Sequence, residues 1–244
     1  MRMRRIFCLG DSLPRMAFDI AQALIFTGAD VEKFLDGLSS NKVEINNNKV
    51  VDTLVLDNKA KIIAQLHIFK LNNMYISVTI ADNFTKMNDY LHAKILSQDV
   101  TISNVSNLNH IDLLYNEGQA HDEMKQLGEI TQIGVNNSYS IEIYSKKLDR
   151  LDFDGDEKSF TDWRIMNSIP WYNYEISSSV NPYQCGLGYQ VHENKGCFTG
   201  QEILTRMRTR NKGIYRLVCR ANSDYDTSIP STRGSEASLY LEKI

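Results

Sequence analysis

Apolar positions in this chain change period several times along its length, and those changes mark out its elements. In "GADVEKFLDGLSS" (28–40), Val31, Phe34, Leu35 and Leu38 recur at helical spacing on one face. Asp30 stands where a carboxylate can cap the first free amides. "KVVDTLVLDNKAKIIAQLHIFKL" (49–71) has two β-branched runs around the turn-forming pair Asp57-Asn58, which predicts a hairpin. "MYISVTIA" (74–81) alternates Met74, Ile76, Val78 and Ile80 with polar partners, the period of a strand. "NFTKMNDYLHAKILS" (83–97) returns to the helical period through Phe84, Met87, Leu91 and Ile95, and "DVTISNV" (99–105) to the strand period.

The second half is less regular. "EMKQLGEI" (123–130) predicts a helix and "YSIEIYS" (139–145) a strand. The acidic stretch "DFDGDEKSF" (152–160) lacks the ligand ladder and distal glutamate of a calcium loop, so it reads as a solvated turn. Strands joined by both hairpins and crossovers imply an α+β fold rather than a doubly wound parallel sheet. Beyond Arg220 the chain is polar and turn-rich, enough for two or three strands and too little for an independent barrel.

At 244 residues the chain can bury a substantial core without disulfide staples. A net charge of -3 argues against nucleic acid or a membrane as partner, and no apolar run is long enough to span a bilayer. The N-terminal "MRMRRIFCLG" has too short an apolar part for a secretory signal, so a cytoplasmic location is expected. Cys8, Cys185, Cys197 and Cys219 form no C-x-x-C pair and the histidines do not cluster with them, which points to reduced thiols and to no metal site. The spacing of Cys185 and Cys219 from Cys197 matches no iron–sulfur ligation motif, so both are read as structural.

"ENKGCFTGQEI" (193–203) carries the most chemistry. Cys197 sits between Gly196 and Gly200, and Gln201 and Glu202 open a helical stretch. Glycines allow backbone angles that a side chain forbids, and a helix N-terminus together with Lys195 favours a thiolate. The alternative is a small buried hydrophobe, the state of most free cysteines. Gln201 and Glu202 either orient the thiol or simply suit a first helical turn. Lys195, Arg206, Arg208, Arg210, Lys212 and Arg216 form a local basic cluster: a site for a carboxylate-bearing ligand, or a solvated face. No interleaved aromatics accompany it, so nucleic acid is not expected there.

"NKGCFTGQEILTRMRTR" resembles the K-G-C-[FY]-x-G-Q-E signature of the YgfZ-type folate-binding proteins, relatives of the glycine-cleavage T-protein, an aminomethyltransferase. Upstream, "FTGADVEKFLDGLSSNKV" resembles that family's opening helix, "LVLDNKAKIIAQLHIF" its L-x-L-D-P-K-G-R-I-L-A-D segment, "WRIMNSIPWYNYEI" its R-I-E-A-G-I-P segment and "NPYQCGL" its N-P-x-E-x-G-L. The likeness covers residues from about 20 to 216. It implies the folate-binding α+β domain of the aminomethyltransferases over 1–216, with 217–244 a tail or a short remnant of the barrel that usually follows. The apolar surface such a barrel leaves behind would favour self-association.

The resemblance further implies tetrahydrofolate as cofactor, bound in a central cavity, and iron–sulfur proteins as partners in cluster assembly or repair. It makes Cys197 the essential group, in a loop with Lys195, Gly196, Phe198, Gly200, Gln201 and Glu202. Asn41, Arg164, Met166, Trp171 and Arg206 fall at the expected folate contacts. The aromatics Trp163, Trp171, Tyr172 and Tyr174 either line a pterin pocket or fill the core. Two departures stand out. Ala64 and Gln65 replace the T-protein's adjacent aspartates, leaving no negative charge to stabilise an iminium. Met166 replaces a glutamate that would pair with the pterin's N–H groups. The alternatives are a tetrahydrofolate-dependent aminomethyltransferase, or a non-catalytic scaffold with a decayed folate pocket.

Overall fold

The computed structural model describes residues 13–46, 48–115, 122–136, 138–223 and 228–244. Its first sheet contains β2 (Ala21–Thr27), β3 (Val51–Leu56), β4 (Ile62–Leu71), β5 (Met74–Ile80) and β6 (Thr101–Asn104), in the order β3-β4-β5-β2-β6. The second contains β1 (Arg15–Ala17), β7 (Asn109–Leu114), β8 (Met124–Leu127), β9 (Ile130–Val135) and β10 (Tyr139–Ser145), in the order β1-β7-β10-β9-β8. Every pairing in both is antiparallel. This is the expected α+β class.

The first sheet is buried on both faces. Leu24, Phe26, Val51, Val55, Ala64, Leu66 and Ile68 pack with Val31, Phe34, Leu35 and Leu38 of α1 (Val31–Leu38) and with Met87 and Leu91 of α2 (Phe84–Ala93). The opposite face, with Leu54, Leu56, Phe69, Val78 and Ile80, packs with Leu113, Ile133, Val135 and Ile141 of the second sheet. Ser77 and Thr79, the polar half of β5's alternation, are therefore fully buried; their hydroxyls bond one another at 2.9 Å. The β3–β4 hairpin forms as expected, with the Asp57 carboxylate accepting the amides of Lys59 and Lys61, each at 2.8 Å.

Two expectations are corrected. Residues 123–130 do not form a helix: Met124–Leu127 and Ile130–Val135 are a hairpin, and Gly128 at φ +65° makes the turn between them. Asp30 occupies the N-cap of α1 without capping it. Its carboxylate instead accepts the amide of Asp99, whose own carboxylate accepts that of Ala29. Asn83 does cap α2, through the amide of Lys86 at 2.9 Å. The acidic stretch ends as the capping box of α3 (Glu157–Met166), between Asp156 and Ser159.

After α4 (Gln201–Thr209) the chain forms a three-stranded sheet of β11 (Tyr215–Ala221), β12 (Thr232–Arg233) and β13 (Ala237–Lys243), ordered β11-β13-β12. Arg164 of α3 anchors it. The fully buried guanidinium pairs with Glu175 at 3.0 Å and donates to the Thr232 hydroxyl at 2.8 Å. No helix among the described residues is long and apolar enough to cross a membrane.

Candidate functional site at the Cys197 loop

Cys197 is exposed, in the loop leading to α4, and its neighbours are held while it is not. Phe198 turns into the main core and is only 8% exposed. The Lys195 side chain is buried, and its ammonium donates to the carbonyls of Asp36 at 2.6 Å, Ser39 at 2.8 Å and Asn41 at 2.9 Å, and to the Asp36 carboxylate at 3.1 Å. Those carbonyls lie in and just past the last turn of α1, the negative end of its dipole. Burial lowers the Lys195 pKa and the Asp36 carboxylate partly offsets this.

Gly200 needs to be glycine. It adopts φ +84°, and a Cβ there would stand 2.8 Å from the Ala60 Cα and 2.9 Å from the Asp57 carbonyl oxygen, both in the β3–β4 turn. Gly196 faces open space at a conformation any residue adopts, so only one of the two glycines is required. The site is thus a rigid loop pinned at Lys195, Phe198 and Gly200, with a thiol on its open side.

Four of the six cations expected around the thiol are paired with other groups. Lys195 serves α1, Glu202 pairs with Arg206 one turn on, Arg208 pairs with Glu193 at 2.7 Å, and Arg216 with Glu242 at 3.1 Å. Gln201 and Glu202 form the first turn of α4. Cys185 is fully buried, and desolvation pushes its thiol up to about 12. Cys219 is half-buried on β11, and Cys8 lies outside the described residues.

The five residues expected as folate contacts have the following settings. Arg164 is consumed by Glu175 and Thr232. Met166, at the end of α3, is 66% exposed. Trp171 is packed among Phe160, Phe18 and Tyr139, with ring centroids at 4.7, 5.5 and 5.9 Å, so it belongs to the core. Arg206 is an exposed member of an ion pair. Asn41 lines a sizeable cavity, and its side-chain amide is already bonded to the Asp52 carbonyl and the Lys42 amide. Ala64 and Gln65 are buried on β4, so no carboxylate stands at those two positions.

One feature escaped the sequence reading. Asp52 and His67 lie opposite each other on β3 and β4, with Oδ1 and Nδ1 2.6 Å apart. The available signal was two polar residues set into the apolar runs of the predicted hairpin.

No family model matches the chain. It is 24% identical, over a 241-residue alignment covering 82% of this chain and 63% of the relative, to an aminomethyltransferase of Caldanaerobacter subterraneus subsp. tengcongensis. It is 23% identical, over 78% of its length and 62% of the relative's, to an aminomethyltransferase of Alkaliphilus oremlandii. Its structure superimposes on the glycine cleavage system aminomethyltransferase T of Bartonella henselae with a TM-score of 0.65, at 11% identity, over 86% of this chain and 66% of that one. The chain has the aminomethyltransferase fold. It spans a little under two thirds of the curated relatives it matches. Within this fold, the Cys197 loop packs on the β3–β4 turn and on the end of α1.

Proposed function

We propose that this chain uses the aminomethyltransferase fold to present the Cys197 thiol, as a YgfZ-type accessory protein supporting iron–sulfur cluster assembly or repair in the cytoplasm. One observation carries the reading: the thiol is exposed in a loop held on one side by the buried Lys195 ammonium and on the other by the buried Phe198 ring. A loop serving only packing would turn its cysteine inward with Phe198; this one fixes the backbone and leaves the sulfur accessible, the arrangement a thiol needs to meet another molecule. Kinship with the aminomethyltransferases supports tetrahydrofolate as ligand, although the side chains named for it are spent elsewhere, so no chemical step is assigned to it. In this reading the sheet formed by β11, β12 and β13 stands in for the usual barrel.

Transfer of an aminomethyl group is the second reading, favoured by the names of the curated relatives. Ala64 and Gln65 speak against it, because neither offers a charge to a developing cation.

The test uses the whole chain, in cells lacking their own copy. Cys197→Ser removes the nucleophile at an exposed position, so the fold and melting temperature should not change, while the activity of iron–sulfur enzymes falls to the level of the deletion. In the purified protein the same substitution removes the fast phase of reaction with a thiol reagent, and Cys185 reacts only after unfolding. Full rescue of the iron–sulfur enzymes by Cys197→Ser would end the proposal. Formation of methylene-tetrahydrofolate from an aminomethyl donor would establish the second reading in its place.

A further inference from the structure

A cavity of about 490 Å³ opens between residues 41–44, the start of β3, Asn136 and the turn at 189–192. Small-molecule sites run to roughly 300–1,000 Å³, so it is large enough for one. Lys42 and Lys49 stand on its lining beside Glu44, Asp52 and Asp122, so net charge does not select the guest. Three accessible side chains on the lining do: Asp52, Tyr189 and His192. Asp52 is the one residue of β3 that is not fully buried, and 11% of its side chain is accessible. A carboxylate only accepts, so the completely buried His67 donates through Nδ1 to Oδ1 at 2.6 Å, and the Asn136 amide donates to Oδ2 at 3.1 Å. Each oxygen keeps a further lone pair. The group is held in one orientation with an acceptor left on each oxygen, which suits a ligand edge carrying two adjacent N–H donors.

Tyr189 is 51% exposed, and its hydroxyl accepts the Gln190 Nε2 at 3.2 Å, which fixes the ring. Burial, and after it the nearby Asp52 carboxylate, raise the pKa of that hydroxyl, so the aromatic face and the carboxylate are neighbours. His192 is half-buried, and its Nδ1 accepts the Asn194 amide at 3.1 Å. The neutral imidazole therefore carries its proton on Nε2, a donor. Two acceptors, a flat face and one donor call for a planar ring with two adjacent N–H groups and a carbonyl. A 2-amino-4-oxopyrimidine has that edge.

We propose that this cavity binds a heterocycle containing a 2-amino-4-oxopyrimidine ring, the ring common to guanine and the pterins, with its amino and ring N–H groups on Asp52, its face on Tyr189 and its carbonyl on His192. Nothing in this depends on Cys197. Calorimetric titration of the full chain with guanosine and with 6-methylpterin tests it and separates the two sources of the ring. Inosine, which lacks the amino group, and 6-methyllumazine, in which an oxo group replaces it, are the controls. Saturable binding of at least one amino compound is expected, with its control at least about tenfold weaker. Asp52→Asn turns one acceptor into a donor and should erase that preference. Tyr189→Leu should weaken the amino compound and its control alike, about tenfold, and leave the preference intact. Tyr189 is half exposed, so this variant keeps the test open should Asp52→Asn, which touches His67, fail to fold. No binding of either amino compound, a control that binds as well, indifference to Tyr189→Leu, or a preference that survives in folded Asp52→Asn would overturn the proposal. None of these outcomes bears on the test of Cys197.

Discussion

Replacing Lys195 by methionine tests whether the thiol loop is held by a buried ammonium. Methionine keeps the length and the packing near Phe198, whose ring centroid lies 5.6 Å from Nζ, and deletes the charge and its donors. Four contacts of an ammonium with three protons are lost, three of them to main-chain carbonyls of Asp36, Ser39 and Asn41. A hydrogen bond from a charged donor contributes about 1.5–3 kcal/mol net, but burying the ammonium offsets part of the sum. The Asp36 carboxylate is 37% exposed and can turn to water, so its share is small. A loss of about 3 kcal/mol follows, since each main-chain carbonyl left without its donor costs about 1–3 kcal/mol and relief of the ammonium's burial offsets part of the sum. For a chain of this length that corresponds to a fall in melting temperature of roughly 6–12 °C. Urea denaturation followed by far-UV circular dichroism reads the first quantity and thermal melts the second. A loss under about 1 kcal/mol would show that the carbonyls find water or one another without the lysine, and the rigid-loop argument would fall with it.

Three further substitutions probe the same packing. Gly200→Ala should cost at least about 2 kcal/mol, from a left-handed backbone and contact with Ala60, while Gly196→Ala changes stability by less than about 0.5 kcal/mol; equal effects in denaturation would contradict the geometry. Arg164→Met strands Glu175, which is 2% exposed, and should lower stability by about 3–5 kcal/mol, with part regained in the double variant with Glu175→Gln. Asp156→Ala removes the cap of α3 and should lower the melting temperature at neutral pH. Bonds from the Ser159 amide and hydroxyl hold the Asp156 carboxyl below its ordinary 3.8, so its stabilisation is complete above that value and is lost as pH falls through the lower one. The parent and the variant should therefore converge in melts at acid pH.

The elements legible in the sequence were those in which one period persists. α1 and α2 each bury residues at helical spacing on one face, and β3, β4 and β10 are rich in β-branched, aliphatic and aromatic residues. The β8–β9 hairpin misled because Met124, Leu127 and Ile130 recur every three residues, which imitates a helix. A single glycine in the left-handed region and pairing to β10 decide otherwise, and that pairing is tertiary information. Asp30 misled for a related reason: its cap position was right, but a reciprocal exchange of carboxylates and amides with the segment before β6 took its side chain.

The site was legible only where it is local. The motif around Cys197 announced a turn before a helix, and the turn is there; the motif could not say which glycine the turn requires, since that depends on Ala60 and Asp57 across the fold. Nor could it say what Lys195 does, because the carbonyl it holds at Asp36 is 159 residues away. Once these contacts are placed, the loop and the cavity prove to share a wall. Ser39, Ser40 and Asn41 accept, in turn, the Lys195 ammonium, the His192 amide and the Lys195 ammonium again, while the Asn41 side chain and His192 line the cavity. A short segment after α1 thus fixes both the thiol's backbone and one side of a polar chamber. Loosening it through Lys195 should disturb both together, whereas Cys197→Ser, which touches neither wall nor anchor, should disturb neither.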